Sequence, residues 1–423
     1  MSWLRRIVYS AVWFIRITSL RLLSISSYRY FSRYRYLKNF VFAFWYWVRI
    51  PKQKYSKLAM WNQVQYQMYW RNPKMFIDLF NKMLKVSITY KCNVECRYCF
   101  AKGLINEFPI DMSINNFYRL ITWGKEKGYD NISFVGGEST IHPQFTEMLE
   151  ICYRNRMFIQ INTNNLFSHR IIPKLNRHWI FSIIINYMLG DLNNEQKALF
   201  RDNLKQMQGR KIPFGFSYIL NYEKEDWLEL SQDLKRYNPC YLWACLPVPG
   251  VSRQSSFAEI LNNIRPLLEK IFQLQDTCIK LNVPFNIFRP LPSCVFSQKE
   301  WQKIRKIFPF FAFMRCLLGY KGNYASMVLI NPDLSIFPCS SVFIKGPNIL
   351  SFKDRRQISD FYKDKIKELV SEPLIESCRD CEKHKRFMLS LEDIKSKYSF
   401  DEDICQGGCL NFREKAHSFC KID

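Results

Sequence analysis

The 423-residue sequence contains no run approaching the roughly 20 apolar residues that a membrane-spanning helix needs, so an integral membrane protein is not expected. It has only five histidines, too few to supply most ligands of several metal centres. Acids are scarce: 37 Asp and Glu against 62 Lys and Arg leave a net charge of +25. No fixed-period repeat or low-complexity tract is present. What is abundant sets the class. Hydrophobic residues make up 48% of the chain, enough to exclude general disorder. The length suggests two or three domains. The fifteen cysteines are many for an ordinary cytosolic enzyme, yet the chain is not the short, loop-rich scaffold that secreted disulfides build. Several cluster at metal-ligand spacing, so a reducing, cytoplasmic compartment and thiolate-held metal is the expectation.

The charge is concentrated at one end. Residues 1–84 hold fifteen Lys and Arg against a single acid, Asp78, and about a quarter of them are aromatic. Leu4, Ile7, Val8, Ala11, Phe14 and Ile15 recur near helical spacing with Arg5, Arg6, Arg16 and Arg21 between them. Aromatic and aliphatic residues on one face and arginine on the other suit a helix lying in a membrane interface and drawn to anionic lipid. The leading expectation is therefore peripheral attachment to the inner face of the membrane. A helical extension packed on the body is the plainer alternative. A nucleic-acid surface is weaker. A secretory signal is weaker still, because Arg16 interrupts the apolar run and no small-residue cleavage site follows.

From about residue 85 short β-branched or apolar runs alternate with amphipathic stretches. Strands are expected at 85–89, 131–135, 158–162, 179–185, 214–220, 241–246 and 284–288. Helices are expected at 114–126, 143–154, 195–208, 227–236 and 257–280. This alternation means a parallel sheet with crossover helices, a full or partial β/α barrel. In such barrels the chemistry sits at the C-terminal ends of the strands.

Directly after the first expected strand comes Cys92-Asn93-Val94-Glu95-Cys96-Arg97-Tyr98-Cys99, a Cys-x3-Cys-x2-Cys spacing. Three thiolates this close can wrap one edge of an iron–sulfur cluster. A four-iron cluster normally takes four cysteines, so three leave one iron open to a cofactor or substrate. Zinc more naturally uses two pairs closing a tetrahedron. The second strand ends in Gly136-Gly137-Glu138, where paired glycines admit a close ligand and Glu138 can accept from an ammonium. The third ends in Asn162-Thr163-Asn164-Asn165. Each is weak alone, but all three fall on consecutive strand ends.

Over roughly residues 85–250 these features resemble the radical S-adenosylmethionine enzymes. The resemblance implies that Cys92, Cys96 and Cys99 hold a [4Fe–4S] cluster whose open iron chelates S-adenosylmethionine. It implies that Tyr98 lies near the adenine and that Gly136, Gly137 and Glu138 receive the methionine ammonium, with Asn162 and Asn164 also at the cofactor. Asn165 stands where the third-strand motif often has glycine, and asparagine tolerates the left-handed backbone. After the fourth strand, where the family often has Ser-x-Asp-Gly, this chain reads Ile184-Ile185-Asn186-Tyr187-Met188.

A second cysteine field fills the C-terminus: Cys316, Cys339, Cys378, Cys381, Cys405, Cys409 and Cys420. It resembles the SPASM extension, which binds two auxiliary [4Fe–4S] clusters. The resemblance implies Cys316, Cys339 and Cys409 for the first, and Cys378, Cys381, Cys405 and Cys420 for the second. The chain departs in three ways. Leu334 replaces a usual glycine, the gap from Cys381 to Cys405 is long, and no fourth cysteine closely follows Cys316. Cys294 is a possible substitute ligand, and zinc-ribbon pairs are the alternative to clusters. Cys152, Cys240, Cys245 and Cys278 read as core thiols. One of Cys240 and Cys245 also has a weaker reading as a hydrogen-atom donor in the barrel.

The expected architecture is thus α/β: a basic aromatic helical extension (1–84), a partial (β/α)6-type TIM barrel (85–290) and a small cysteine-rich cluster domain (291–423). The expected activity is formation of a 5′-deoxyadenosyl radical that abstracts hydrogen from a lipid-linked, carbohydrate or other membrane-proximal substrate. The alternative is oxidation or cross-linking of a ribosomally made peptide or protein. The resemblance implies an electron donor such as flavodoxin or ferredoxin as partner. No catalytic acid, base or hydrogen donor is assigned.

Overall fold

The computed structural model describes residues 83–96, 99, 101–220, 226–246, 264–281, 283, 285–288, 291, 293–300, 318, 324–325, 328–339, 342–372, 378–382 and 385. All of them belong to the second of two units into which the chain divides, Asn72–Asp423. The basic segment 1–82, Tyr98, Cys316, Cys405, Cys409 and Cys420 lie outside the described residues.

Seven strands follow one another in parallel: β1 (Met83–Ser87), β2 (Asn131–Val135), β3 (Phe158–Thr163), β4 (Ile180–Tyr187), β5 (Phe214–Ile219), β6 (Leu242–Cys245) and β7 (Phe285–Phe288). Three short strands continue the sheet beyond β1: β8 (Leu329–Ile330), β9 (Ser335–Phe337) and β10 (Gly346–Asn348). β8 pairs parallel with β1, and β9 and β10 fold back antiparallel. The full order is β10-β9-β8-β1-β2-β3-β4-β5-β6-β7. A parallel α/β sheet of this kind is that of a partial barrel.

The helices are α1 (Leu104–Glu107), α2 (Ile114–Glu126), α3 (Phe145–Arg154), α4 (Asn194–Gly209), α5 (Trp227–Tyr237), α6 (Ile264–Leu281) and α7 (Arg355–Ser371). Local chemistry explains several ends. Ser113 caps α2 by accepting from Asn116 N. Asn193 and Gln196 form a reciprocal capping box at α4. Asn238 takes a left-handed conformation that stops α5.

Every second strand residue is apolar and meets the helices. Val86, Phe134, Ile161, Ile183 and Phe214 stand side by side across β1 to β5. Phe134 stacks on Phe117 of α2 and meets Phe145 of α3 edge-on. On the other face Lys85, Ser133, Gln160 and Ser182 form one polar row across β1 to β4. Nearer the C-terminal ends, Asn186, Ser217 and Trp243 form another across β4 to β6. A sheet packed on both faces would read as continuous apolar runs. The alternate face here mixes these polar rows with buried Val135 and Ile184.

The expected strands and helices of the barrel agree with these elements to within about two residues at most ends; α6 is described from Ile264, and 257–263 lie outside the described residues. The short α1, the helix α7 and the strands β8–β10 were not anticipated. Cys152, Cys245 and Cys278 are buried, as core thiols should be, whereas Cys240 is exposed and does not fit that expectation. It follows α5 and lies ahead of β6, where its backbone N–H donates to Phe214 O. Burial pushes the Cys278 thiol up to about 12.

Candidate active site at the strand ends

The loop after β1 carries the cysteines past the C-terminal edge of the sheet. Its course is fixed by the loop after β2. Gly137 N donates to Thr89 O at 3.0 Å and Glu138 N to Lys91 O at 2.9 Å. So close an approach leaves no room for a side chain. A methyl on Gly137 would stand 2.1 Å from the Lys91 carbonyl oxygen. Gly136 has φ +111, a region that L side chains rarely adopt, and its own missing methyl would meet Thr89 O at 2.7 Å. The glycine pair is therefore what lets β2 lie against the cysteine loop.

Glu138 is wholly buried behind the pair. Its Oε1 accepts from Thr140 N (3.2 Å), Thr140 Oγ1 (2.5 Å) and Thr163 Oγ1 (2.9 Å), and its Oε2 from Asn164 N (2.7 Å). Burial pushes this carboxyl above the ordinary carboxylate range, against the pull of these donors. All four partners donate, which is the environment of an ionised carboxylate. The side chain expected to receive an ammonium is thus engaged in tying the β2 end to the β3 end.

The loop after β3 returns to the cysteines. Asn164 is buried, and its Nδ2 lies 3.7 Å from Cys92 Sγ and 2.6 Å from Asn93 Oδ1. Asn93 Nδ2 donates to Leu166 O at 3.0 Å. Asn165 has φ +65, as its place in the motif suggested, and its Nδ2 donates to Phe200 O in α4. Asn162 donates to Phe134 O (2.9 Å) and Ser133 Oγ (3.2 Å), joining the polar face of the sheet rather than the loop.

Cys96 and Cys99 share a turn, with Cys99 N donating to Cys96 O at 3.2 Å. Cys96 Sγ lies 3.7 Å from Met188 Sδ, just past β4, and Asn186 Nδ2 is 3.5 Å from the same thioether. The fourth strand thus reaches the cysteines through Asn186 and Met188, residues the sequence pattern did not assign. Desolvation within the loop pushes the Cys92 thiol up, and Glu138 and Cys99 push the same way; the Val94 backbone and Asn164 pull it back. Cys99 is raised chiefly by burial.

Among the described residues no three metal-ligating side chains converge on one ion-sized point. A four-iron cluster takes one thiolate per iron, and three cysteines on one projecting loop are a donor set that suits it. In the C-terminal field, Cys339 follows β9 and bridges to Val342. Cys378 and Cys381 are joined by a backbone hydrogen bond of 3.2 Å.

Behind the cysteine loop lies a second small core: Tyr90, Ala101, Leu104, Phe108, Val135, Leu329, Phe337 and Phe343, with Cys99 and Ile105 packed on it. Its members come from the cysteine loop, α1 and the residue after it, the end of β2, and the β8–β9 hairpin with the stretch that follows. Tyr90 Oη donates to Asn331 Oδ1 at 2.6 Å across the same junction.

Residues 86–237 match the model of the Radical SAM superfamily. Over 155 residues the chain is 26% identical to the molybdenum cofactor biosynthesis protein moc-5 of Caenorhabditis elegans, covering 35% of this chain and 25% of that protein. Over 138 residues it is 29% identical to an S-adenosylmethionine-dependent nucleotide dehydratase of Selenomonas ruminantium, covering 29% of this chain and 48% of that one. The chain therefore spans a quarter to about half the length of these curated relatives. Among solved structures, native anSMEcpe with bound AdoMet superposes with a TM-score of 0.54 at 12% identity, over 79% of this chain and 90% of that one. At that identity the likeness is one of fold.

Proposed function

Because residues 86–237 form a radical SAM domain, a family that uses a [4Fe–4S] cluster and S-adenosylmethionine, we propose that this chain modifies its substrate by hydrogen abstraction. Cys92, Cys96 and Cys99 hold the cluster, and the backbone at Gly136 and Gly137 borders the cofactor. With both groups bound, reductive cleavage of S-adenosylmethionine supplies methionine and a 5′-deoxyadenosyl radical, chemistry the cofactor brings and the protein orients. The observation that carries this reading is the meeting of the three-cysteine loop with the glycine pair of β2 and Asn164 of β3 at one sheet edge.

The substrate class we favour is a lipid-linked, carbohydrate or other membrane-proximal molecule. Two features support it. One is the basic aromatic segment 1–84. The other is the part of the polar sheet face nearest the C-terminal strand ends, where Asn186 and Ser217 stand beside the stacked Tyr241–Trp243 pair, whose centroids are 4.9 Å apart. Amides and hydroxyls beside an aromatic platform suit a neutral hydroxylated ligand. A second reading, oxidation or cross-linking of a peptide, draws on the anSMEcpe fold, which has also been solved with AdoMet and a peptide bound. We further propose the C-terminal cysteines as a SPASM-type domain with two auxiliary clusters: Cys316, Cys339 and Cys409 at one, Cys378, Cys381, Cys405 and Cys420 at the other.

Iron analysis after anaerobic reconstitution tests both parts, with roughly twelve irons per chain expected for three four-iron clusters. Replacing Cys92, Cys96 and Cys99 together by alanine should remove about four of them and abolish 5′-deoxyadenosine formation under reducing conditions. Roughly four irons with bound zinc would refute the auxiliary clusters while leaving the radical domain intact.

A further inference from the structure

Asn164 is more fully committed than a cofactor contact would be. Its backbone N–H donates to Glu138 Oε2 at 2.7 Å, and its side-chain oxygen accepts from Leu166 N at 2.9 Å. That second bond fixes which end of the amide carries nitrogen, since the flipped amide would lose it and oppose two oxygens at Asn93. The amide nitrogen has two hydrogens. One serves Asn93 Oδ1 at 2.6 Å, and the sulfur within reach of the other is Cys92 Sγ, at 3.7 Å. Asn93 closes the clamp by donating to Leu166 O at 3.0 Å. The first ligating cysteine is thus tethered to the end of β3 by an amide that cannot turn away.

We infer that Asn164 is a positioning residue for the cluster. It donates a hydrogen bond to the Cys92 thiolate and so raises the reduction potential of the iron centre held there. This rests on the radical SAM reading of Cys92. The physical basis is that a donor to a ligating sulfur stabilises the extra negative charge of the reduced cluster more than it stabilises the oxidised one. Glu138 acts one step further out: its carboxylate gathers Asn164 N, Thr163 Oγ1 and two Thr140 donors, holding the β3 end where the amide meets the sulfur. In this arrangement the Gly-Gly-Glu glutamate serves the cluster through Asn164.

The test is an EPR-monitored redox titration of the reconstituted full chain, following the signal that changes when S-adenosylmethionine is added. Asn164→Ser keeps a short oxygen to accept from Leu166 N but has no amide to reach Cys92. The expected result is unchanged iron content, S-adenosylmethionine affinity within about twofold of wild type, and a midpoint potential shifted to more negative values. An unchanged potential, with or without a loss of S-adenosylmethionine affinity, overturns the inference. If Asn164→Ser fails to fold, Asn164→Asp is read in its place. It is isosteric, keeps the oxygen for Leu166 and turns the donor into an anion, so its potential must fall too; a potential equal to wild type overturns the inference. A wild-type chain that loads no iron on Cys92 overturns the radical SAM reading itself. A chain that loads iron but whose potential ignores residue 164 overturns only this role.

Discussion

A single methyl group decides whether the β1 and β2 loops can touch. In Gly137→Ala the new carbon would fall 2.1 Å from the Lys91 oxygen and 2.6 Å from the Tyr90 carbonyl carbon, both backbone atoms that no rotamer change can move. The strain must spread into the loop next to Cys92, at about 1–3 kcal/mol for overpacking of this kind. We expect the variant to lower the denaturation midpoint and to lose iron at the three cysteines; full iron content in a stable variant would show that the loop can shift freely. At this scale the sequence was legible where one residue type carries the chemistry. The glycine pair and Asn165 announce their backbone roles, and the spacing of the three cysteines places them on one loop. Glu138 did not, because its partners Thr163 and Asn164 lie 25 and 26 residues on and meet it only when β2 and β3 pair. Met188 was hidden for the same reason, being a thioether in an apolar run until the fold brings it to Cys96.

Elements were legible where strand and helix alternate, and not by length alone: the four-residue β6 and β7 were expected, whereas the 17-residue α7 was not. Strands of five to eight residues alternating with amphipathic helices declare their period, so β1–β5 and α2–α5 could be placed closely. β8, β9 and β10, of two to three residues each, are too short to show any alternation. Yet they complete the wall behind the cysteines. Phe337 of β9 is fully buried, meets Phe343 edge-on at 5.5 Å and faces Phe108 at 6.2 Å. Removing such a ring costs about 3–5 kcal/mol. Phe337→Ala should therefore lower chemical stability by that order and, because Cys99 packs on the same cluster, also weaken iron loading at a site supplied by a different stretch of chain. Stability lost without any change in iron would separate the hairpin from the site. Leu334, one residue before β9, explains a departure in the sequence: it adopts φ +67, the conformation the usual glycine would supply, while its side chain is buried. The hydrophobic burial offsets the cost of the turn.

For the whole molecule, the concentration of charge at one end of the sequence makes a prediction independent of the catalytic chemistry. A segment with fifteen cations and one acid contributes on the order of 1 kcal/mol per Lys or Arg near an anionic surface. The full-length protein should co-sediment with vesicles containing anionic lipid at low salt and be released as salt rises, whereas neutral vesicles should not retain it. Failure to bind anionic vesicles at low salt would remove membrane-proximal substrates from consideration and leave the peptide reading. Among the described residues no helix is long and apolar enough to cross a membrane.

The bond between Tyr90 and Asn331 joins residues 241 positions apart, and it lies beside the β1–β8 pairing. A ribosome adding about 5–20 residues per second needs roughly 12–50 s to travel that distance. During this interval β1 has its β2 neighbour but an open outer edge, and the core behind the cysteine loop lacks its C-terminal half. An unpaired apolar edge is a template for wrong partners, so the nascent chain has a vulnerable period built into its topology. Iron delivered then would meet a loop with only part of its support.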